Sequence, residues 1–227
     1  MHLPISDKIE LNILHQNSHQ AEKNKVKFNN YNLLCLNIMS SPGAGKTRLL
    51  EITLEDLSKK FHSAVLEGDM TTNLDAARLE KLNIPVVPIT TGRACHLDAN
   101  MVSGGLKLLE KKINPDLLDI LLVENVGNLV CPAEFEIGEH FKVALLSITE
   151  GEDKPLKYPI MFREADLILI TKVDLLPHLN FDINELKSNI ASTNPKADVI
   201  EISSITKSGF DLWQNWISKK ILKFKNN

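Results

Sequence analysis

The chain has little of several features that mark other classes of protein. It has three cysteines in 227 residues, too few for a disulfide framework, and aromatic residues make up only 5%, so we expect an aliphatic core. No apolar run approaches the length of a membrane span, and the charged N-terminal stretch is not typical of a signal peptide. The net charge of -3 offers no basic excess for nucleic acid. These absences favour a cytoplasmic protein that binds neither membranes nor nucleic acid.

The segment from Ser40 to Thr47 reads Ser-Ser-Pro-Gly-Ala-Gly-Lys-Thr and lies between an apolar, strand-like run and a helical pattern. A strand, a glycine-rich turn and Lys-Thr at the start of a helix form a phosphate-binding loop, because backbone N–H groups converge there at the positive end of the helix. Lys46 would contact the β- and γ-phosphates, and the Thr47 hydroxyl would bind Mg²⁺. The predicted nucleotide-binding residues of this loop are Gly43, Ala44, Gly45, Lys46, Thr47 and Arg48.

Strand-like and helix-like segments alternate from residue 32 onward. This pattern predicts an α/β fold, a P-loop NTPase three-layer sandwich with a mostly parallel sheet flanked by helices. We divide the chain into a short N-terminal helical arm, 1–29, expected to be mobile and to lack a strong apolar stripe, and a P-loop domain, 30–227. The predicted strands are 33–39, 62–67, 85–90, 119–124, 142–148, 166–171 and 198–202. The predicted helices are 46–60, 71–82, 97–112, 154–163, 182–193 and 208–222.

Two acidic residues and a glycine come at or just after the ends of strand-like runs. Glu124 ends one run and Asp69 ends an earlier one, and carboxylates at such positions can hold Mg²⁺. Gly127 can bring its backbone N–H to a γ-phosphate. We therefore predict Lys46, Asp69, Glu124 and Gly127 as the catalytic residues, and Thr47, Asp69 and Glu124 as the residues that hold Mg²⁺.

A later strand-like run continues into Thr171-Lys172-Val173-Asp174, a pattern that indicates guanine recognition. The carboxylate of Asp174 can accept hydrogen bonds from guanine N1–H and N2–H₂, a pair that adenine does not offer. The stem of Lys172 can lie over the base, and backbone N–H groups at Ser204 and Ile205 can meet guanine O6. GTPases usually have Asn where this chain has Thr171, so whether a base-side or loop-bracing hydrogen bond is made there is open.

An adjacent Cys95-His96 pair lies where a loop enters a predicted helix, and Cys131 follows the Glu124–Gly127 segment. Thiolate sulfur and imidazole nitrogen are suitable ligands for Zn²⁺ or Ni²⁺. A buried, inert cysteine and a helix-capping histidine are the alternative interpretation. Cys35 lies inside the first predicted strand and is assigned to the core.

Taken together, these segments resemble the hydrogenase nickel-incorporation GTPases, a SIMIBI-class P-loop family of nickel–iron hydrogenase maturation factors. Ser is normal in that family at the position of Ser40, where a strict P-loop has Gly. The likeness extends over about residues 30 to 220. The segments that carry it are Met39–Thr47, Glu67–Asp69, Thr91–Ala99, Glu124–Pro132, Glu150–Pro155 and Lys172–Asp174.

The resemblance implies a homodimer, promoted by GTP or metal, that binds GTP or GDP with Mg²⁺ and shares a Ni²⁺ or Zn²⁺ site whose ligands here are Cys95, His96 and Cys131. It also implies partners: other hydrogenase maturation proteins and the hydrogenase large subunit. Gly127 is followed by Asn128, with no obvious glutamine to orient water, so we expect slow GTP hydrolysis. The alternatives are a urease accessory-type nickel GTPase, which carries Cys-Pro-His instead, a P-loop small-molecule kinase with inert cysteines, and a nickel or zinc storage protein.

Overall fold

The computed structural model describes residues 5–70 and 74–226, with side chains from residue 12 onward. In these ranges seven strands form a single sheet in which every pair is parallel, in the order β3-β2-β4-β1-β5-β6-β7. The predicted strands are confirmed to within two residues at each end. Their bounds are β1 Leu34–Ser40, β2 Ser63–Asp69, β3 Val86–Thr90, β4 Ile120–Glu124, β5 Phe141–Ser147, β6 Leu167–Thr171 and β7 Asp198–Ile202.

Helices cover both faces of the sheet, which confirms the three-layer sandwich. One face packs against α2, α3 and α9, and the other against α1 and α4 on one half and α5, α7 and α8 on the other. Among the described residues, no helix is both long and apolar enough to cross a bilayer. The helix bounds are α1 Ile5–Asn30, α2 Lys46–Leu57, α3 Leu74–Glu80, α4 Ala99–Lys112, α5 Cys131–Glu134, α6 Lys154–Lys157, α7 Pro159–Arg163, α8 Ile183–Thr193 and α9 Phe210–Lys225.

The helix α2 ends three residues before its predicted end and α9 ends three residues after, and two further helices differ in other ways. The helix predicted over 154–163 is broken into α6 and α7 at Tyr158, which has φ −123° and ψ 56°. The break has a local cause, because Pro159 disfavours the helical conformation in the residue before it. The helix predicted over 71–82 is α3, and residues 71–73 lie outside the described ranges. Short 3₁₀ turns over Pro115–Leu117, Ile148–Glu150 and Val173–His178 were not predicted.

The N-terminal helix packs on the sandwich, whereas the sequence led us to expect a mobile arm. Its described part buries Asn17, Ala21, Asn24 and Phe28, which recur at helical spacing and form a stripe facing α4 and the residues before β5. The stripe is half amide and half apolar, so a search for hydrophobic periodicity misses it.

The parallel sheet gathers the predicted site residues at one edge. β1 lies between β4 and β5, and the β1–β4 register pairs Ile38 with Glu124. The carboxyl ends of parallel strands meet at the same edge, so the loops after β1, β2, β4 and β6 share one rim.

Candidate nucleotide and metal sites

The loop after β1 has the shape of a phosphate cradle. Gly43 and Gly45 adopt positive φ angles of 75° and 101°, a region that other residues rarely adopt. α2 begins at Lys46, whose Nζ donates to Ser40 Oγ at 3.0 Å, so the serine that replaces the usual glycine holds the lysine. The loop borders a cleft of about 420 Å³ that also contains predicted residues from the other strands. Arg48 lines this cleft while its guanidinium pairs with Glu51.

A buried group of polar side chains lines the cleft next to the phosphate loop. Thr47 Oγ1 donates to Glu124 Oε1 at 2.7 Å, and Glu67 lies opposite Glu124 in the β2–β4 register. The Oε2 atoms of Glu67 and Glu124 are buried with no hydrogen-bond partner among the described residues. Burial and then the neighbouring Glu124 raise the pKa of Glu67 to about 8, and burial raises the pKa of Glu124 to about 7.

This group fits a divalent cation. Two buried carboxyls with unpartnered oxygens beside a hydroxyl are hard oxygen donors, and a cation would remove their mutual repulsion. Asp69 also borders the cleft, and its Oδ1 accepts from Met70 N at 2.6 Å. The sequence reasoning missed Glu67, although a charged residue in an otherwise apolar strand was a signal.

The segment after β4 touches the phosphate loop. A Cβ added to Gly127 would lie 2.9 Å from the Cα and the N of Pro42, so only glycine permits this approach. Gly127 therefore lies beside the P-loop, as its predicted role near a γ-phosphate requires.

The loops after β6 and β7 form the predicted base-recognition side. Thr171 Oγ1 donates to the carbonyl of Ala44 at 2.8 Å, so the threonine braces the P-loop. Ser203 Oγ donates to Asp174 Oδ1 at 2.5 Å and accepts from the backbone N–H of Ile205 at 3.2 Å. This serine, which was not predicted, orients the carboxylate and shapes the following turn.

Ser204 is half-exposed and Ile205 is exposed in that turn. Lys172 has a left-handed backbone, with φ 61°, at the point where β6 gives way to the 3₁₀ turn carrying Asp174. The base-side residues thus lie on two adjacent loops.

The structure brings Cys95, His96 and Cys131 together. Their ligand atoms all lie within 4.8 Å of one another, and all three side chains are half-buried. The two Sγ atoms are 3.0 Å apart, and Cys95 Sγ is 3.8 Å from His96 Nδ1. The His96 ring packs on Phe135, with centroids 4.2 Å apart. Adjacent Cys and His residues can therefore face one ion, a point that their spacing left open.

Two asparagines connect the segment after β4, which lies beside the phosphate loop, to the loop that carries Cys95 and His96. Asn125 is fully buried, and its Oδ1 accepts from the backbone N–H of Leu97 and of Val126, both at 2.9 Å. Asn128 Nδ2 donates to the carbonyl of Cys95 at 3.4 Å. One end of this connection lies beside Gly127 and the other beside the Cys95-His96 pair.

An all-parallel sheet with a phosphate loop at its central strand defines a P-loop nucleotide-binding protein. The sequence-family model for the CobW/HypB/UreG nucleotide-binding domain matches residues 34–201 of this chain. The chain therefore belongs to this family of P-loop GTPases. The resemblance drawn from the sequence is confirmed.

Relatives and solved structures agree with this assignment. The hydrogenase maturation factor HypB of Escherichia coli K12 is 47% identical over 209 residues, which are 92% of this chain and 71% of that protein. The crystal structure of HypB from Helicobacter pylori in complex with nickel has a TM-score of 0.87 at 40% identity and covers 92% of this chain and 96% of that one. HypB from Archaeoglobus fulgidus has a TM-score of 0.84 at 36% identity, with 91% and 99% covered.

Proposed function

We propose that this protein is a GTPase that binds nickel, and zinc, and couples its GTP state to nickel delivery during nickel–iron hydrogenase maturation. The observation that carries the proposal is the Cys95, His96 and Cys131 cluster, joined through Asn125 and Asn128 to the segment beside the phosphate loop. The similarity to hydrogenase maturation factors and to a HypB crystallised with nickel supports this role.

GTP is the nucleotide that the base-side residues favour. The Asp174 carboxylate, oriented by Ser203, can accept from guanine N1–H and N2–H₂, and adenine would leave it unpaired. Lys46 and the backbone N–H groups of Gly43 and Gly45 hold the phosphates. Ser204 and Ile205 offer N–H groups to guanine O6.

Catalysis follows from the residues that surround the γ-phosphate position. Thr47, Glu67 and Glu124 would hold Mg²⁺ together with Asp69, and the ion would supply positive charge to the phosphates. Gly127 offers its N–H to the γ-phosphate. The amide of Asn128 is engaged with the Cys95 carbonyl, which leaves it poorly placed to orient water and supports slow hydrolysis.

The metal site is best completed by a second copy of the chain. The cluster has three ligands among the described residues, whereas Ni²⁺ and Zn²⁺ bound by thiolate and imidazole take at least four. A two-fold axis beside the half-buried cluster would supply a second set. The adjacent Val130 is 50% exposed, as a residue at such an interface would be in a single chain.

We infer the rest of the assignment from the same family relationship. The partners are other hydrogenase maturation proteins and the hydrogenase large subunit, and the protein works in the cytoplasm. We also assign residues 1–29, of which 1–4 lie outside the described ranges, to an N-terminal arm, and residues 30–227 to a GTPase domain that carries the metal site.

Metal affinity measured in two nucleotide states tests the proposal. Ni²⁺ and Zn²⁺ would be titrated into the protein with GDP and with a non-hydrolysable GTP analogue, and molecular mass measured on the same samples. We expect a metal-loaded dimer with the analogue. Cys95→Ala and Cys131→Ala should lose most metal affinity and keep GTP binding. Cys35→Ala, buried inside β1, is the matched control and should keep both. Wild-type metal affinity in Cys95→Ala, or a metal-loaded monomer, would contradict the proposal.

A further inference from the structure

Two buried asparagines of α1 belong neither to the nucleotide site nor to the Cys95, His96 and Cys131 cluster. Asn17 and Asn24 are seven residues apart on one helix face, and only 5% and 2% of their surfaces are exposed. Burying an amide costs free energy unless its donors and acceptors are paired, so each buried amide must make specific bonds. Those bonds go to other parts of the chain.

Both amides bind the same two segments. Asn17 Oδ1 accepts from Ala99 N at 2.9 Å, and its Nδ2 donates to the Glu136 carbonyl at 2.7 Å. Asn24 Nδ2 donates to the Ala99 carbonyl at 2.7 Å and to the Ile137 carbonyl at 3.0 Å. Each asparagine therefore bridges the start of α4 to the residues before β5.

These two segments carry the metal ligands. Ala99 comes three residues after His96, at the first position of α4. Glu136 follows Phe135, whose ring packs on His96 and which ends the short helix that begins at Cys131. The bonds to α1 thus hold the start of α4, just after the Cys95-His96 pair, at a fixed separation from the residues just after the Cys131 helix.

We propose that α1 is a positioning element of the metal site, in which Asn17 and Asn24 set the distance between the segments that carry Cys95, His96 and Cys131. The proposal rests on the metal-binding function inferred above. Metal ligands lose affinity when the partners that orient them are removed, because the ligands must then be ordered at the moment of binding. Apolar residues could bury α1 equally well but could not bridge two backbone segments.

The test compares Asn17→Ala, Asn24→Ala and the double variant with wild type in the full chain. Ni²⁺ and Zn²⁺ affinities would be measured against a competing chelator, and the thiolate-to-nickel absorption band would report ligand geometry. We expect each single variant to bind either metal about tenfold more weakly, the lower end of the loss for outer partners at metal sites. Affinity for a GTP analogue should stay within about twofold, because the bonds that Asn17 and Asn24 make go to Ala99, Glu136 and Ile137 and not to the phosphate loop.

Phe28→Leu is the matched control. Phe28 is fully buried on the same face of α1, in an apolar cluster that includes Leu97 and Ile137, but its ring cannot make the amide hydrogen bonds that bridge the two segments. It should lower the melting temperature while leaving metal affinity unchanged. If Phe28→Leu and the asparagine variants weaken metal binding equally, α1 contributes only stability and the proposal is overturned.

Asn17→Asp tests whether bonds to both segments are needed, or only the bond that attaches α1 to the start of α4. The acid keeps an oxygen that can accept from Ala99 N, but it cannot donate to the Glu136 carbonyl. We expect weaker metal binding, as in Asn17→Ala, even if the double variant does not fold. Wild-type affinity in Asn17→Asp and Asn17→Ala would refute the proposal. A wild-type protein that binds neither metal would instead refute the proposed function.

Discussion

Strand register determines which side chains meet at the nucleotide site, and burial determines which of their polar atoms find hydrogen-bond partners within the chain. Glu67 and Glu124 meet because they lie opposite each other on neighbouring parallel strands. Thr47 satisfies one oxygen of Glu124, whereas the Oε2 atoms of both carboxyls are left for a ligand outside the described residues. Burying both carboxyls costs stability in the free protein, and a bound cation would offset that cost; carboxyls perturbed by burial in this way are often found at functional sites.

Glu67→Gln should stabilise the nucleotide-free protein at about pH 8 and leave its stability unchanged near pH 5. The folded-state pKa of Glu67, about 8, is raised above the ordinary value of 4.5, so its contribution to stability is lost as pH rises through the folded pKa. Glutamine does not titrate. At ~1.4 kcal/mol for each pKa unit the shift from 4.5 to about 8 allows at most about 5 kcal/mol, and we expect a gain of at least about 1 kcal/mol, or ~2–4 °C in melting temperature for a chain of this size. Thermal unfolding without Mg²⁺ at both pH values measures it, and equal melting temperatures at pH 8 would contradict it.

Asp174→Asn and Thr171→Val should weaken GTP binding in different ways. Asparagine at 174 donates where guanine N2–H₂ also donates, so this variant should lose preference for GTP over XTP, whose base has an acceptor there. Thr171→Val removes only the bond to the Ala44 carbonyl, worth about 1 kcal/mol. It should weaken GTP and XTP alike, by about fivefold. Competition binding with both nucleotides distinguishes the two, and unchanged GTP preference in Asp174→Asn would show that Asp174 does not contact the base.

At the scale of elements, the sequence predicted the strands well because a parallel sheet buries continuous apolar runs, which are visible without context. It predicted the P-loop, Glu124 and Asp174 because each follows such a run. It failed where a residue acts across the fold. Ser203 orients the carboxylate of Asp174, and Glu67 lies opposite Glu124 on the neighbouring strand. Asn17 donates to the Glu136 carbonyl, about a hundred residues away in the chain. Those pairings depend on topology, which spacing along the chain does not record.

The junction of α1, β1 and β5 should make the protein acid-sensitive through His140. Its Nδ1 accepts from the backbone N–H of Cys35 at 2.9 Å, so that nitrogen carries no proton, and Nε2 lies 2.9 Å from Asn29 Oδ1. Burial, followed by the nearby Lys25, lowers the pKa of His140 to about 4 from its usual 6.5. Because the folded pKa is depressed, the stability that neutral His140 contributes is present above pH 6.5 and is lost as pH falls through 4.

His140→Gln should therefore flatten part of this pH dependence, since glutamine can still accept from Cys35 N–H but cannot titrate. We expect wild type to lose about 2–3 kcal/mol more than the variant between about pH 7 and 4, at ~1.4 kcal/mol for each pKa unit. Urea unfolding across this range measures both proteins, so the carboxyls that they share cancel in the comparison. Parallel pH profiles would show that His140 titrates normally in the fold.

At the scale of the whole molecule, the proposed function requires that a change at the nucleotide site also changes the geometry of the metal site. Gly127 lies against the phosphate loop, Cys131 follows it in the chain, and Asn125 reaches sideways to Leu97 beside His96. Cys95, His96 and Cys131 are thus all connected to the segment that lies beside the phosphate loop. A shift of that segment with nucleotide state would move Cys131 directly and the Cys95-His96 loop through Asn125.

Asn125→Ala should uncouple the Cys95-His96 loop from nucleotide state. In wild type we expect Ni²⁺ affinity to differ between the GDP and GTP-analogue forms by roughly 5- to 150-fold, the usual span of such couplings. In Asn125→Ala the ratio should fall towards one, because the backbone N–H groups of Leu97 and Val126 no longer share an acceptor. Thr53→Val, which removes a buried hydroxyl bonded to Trp213 and to the Leu49 carbonyl but to no residue of the connection between the two sites, controls for lost stability and should keep the wild-type ratio. If Asn125→Ala binds both ligands and keeps that ratio, Asn125 does not carry the coupling, which leaves Cys131 and the Asn128 bond to the Cys95 carbonyl.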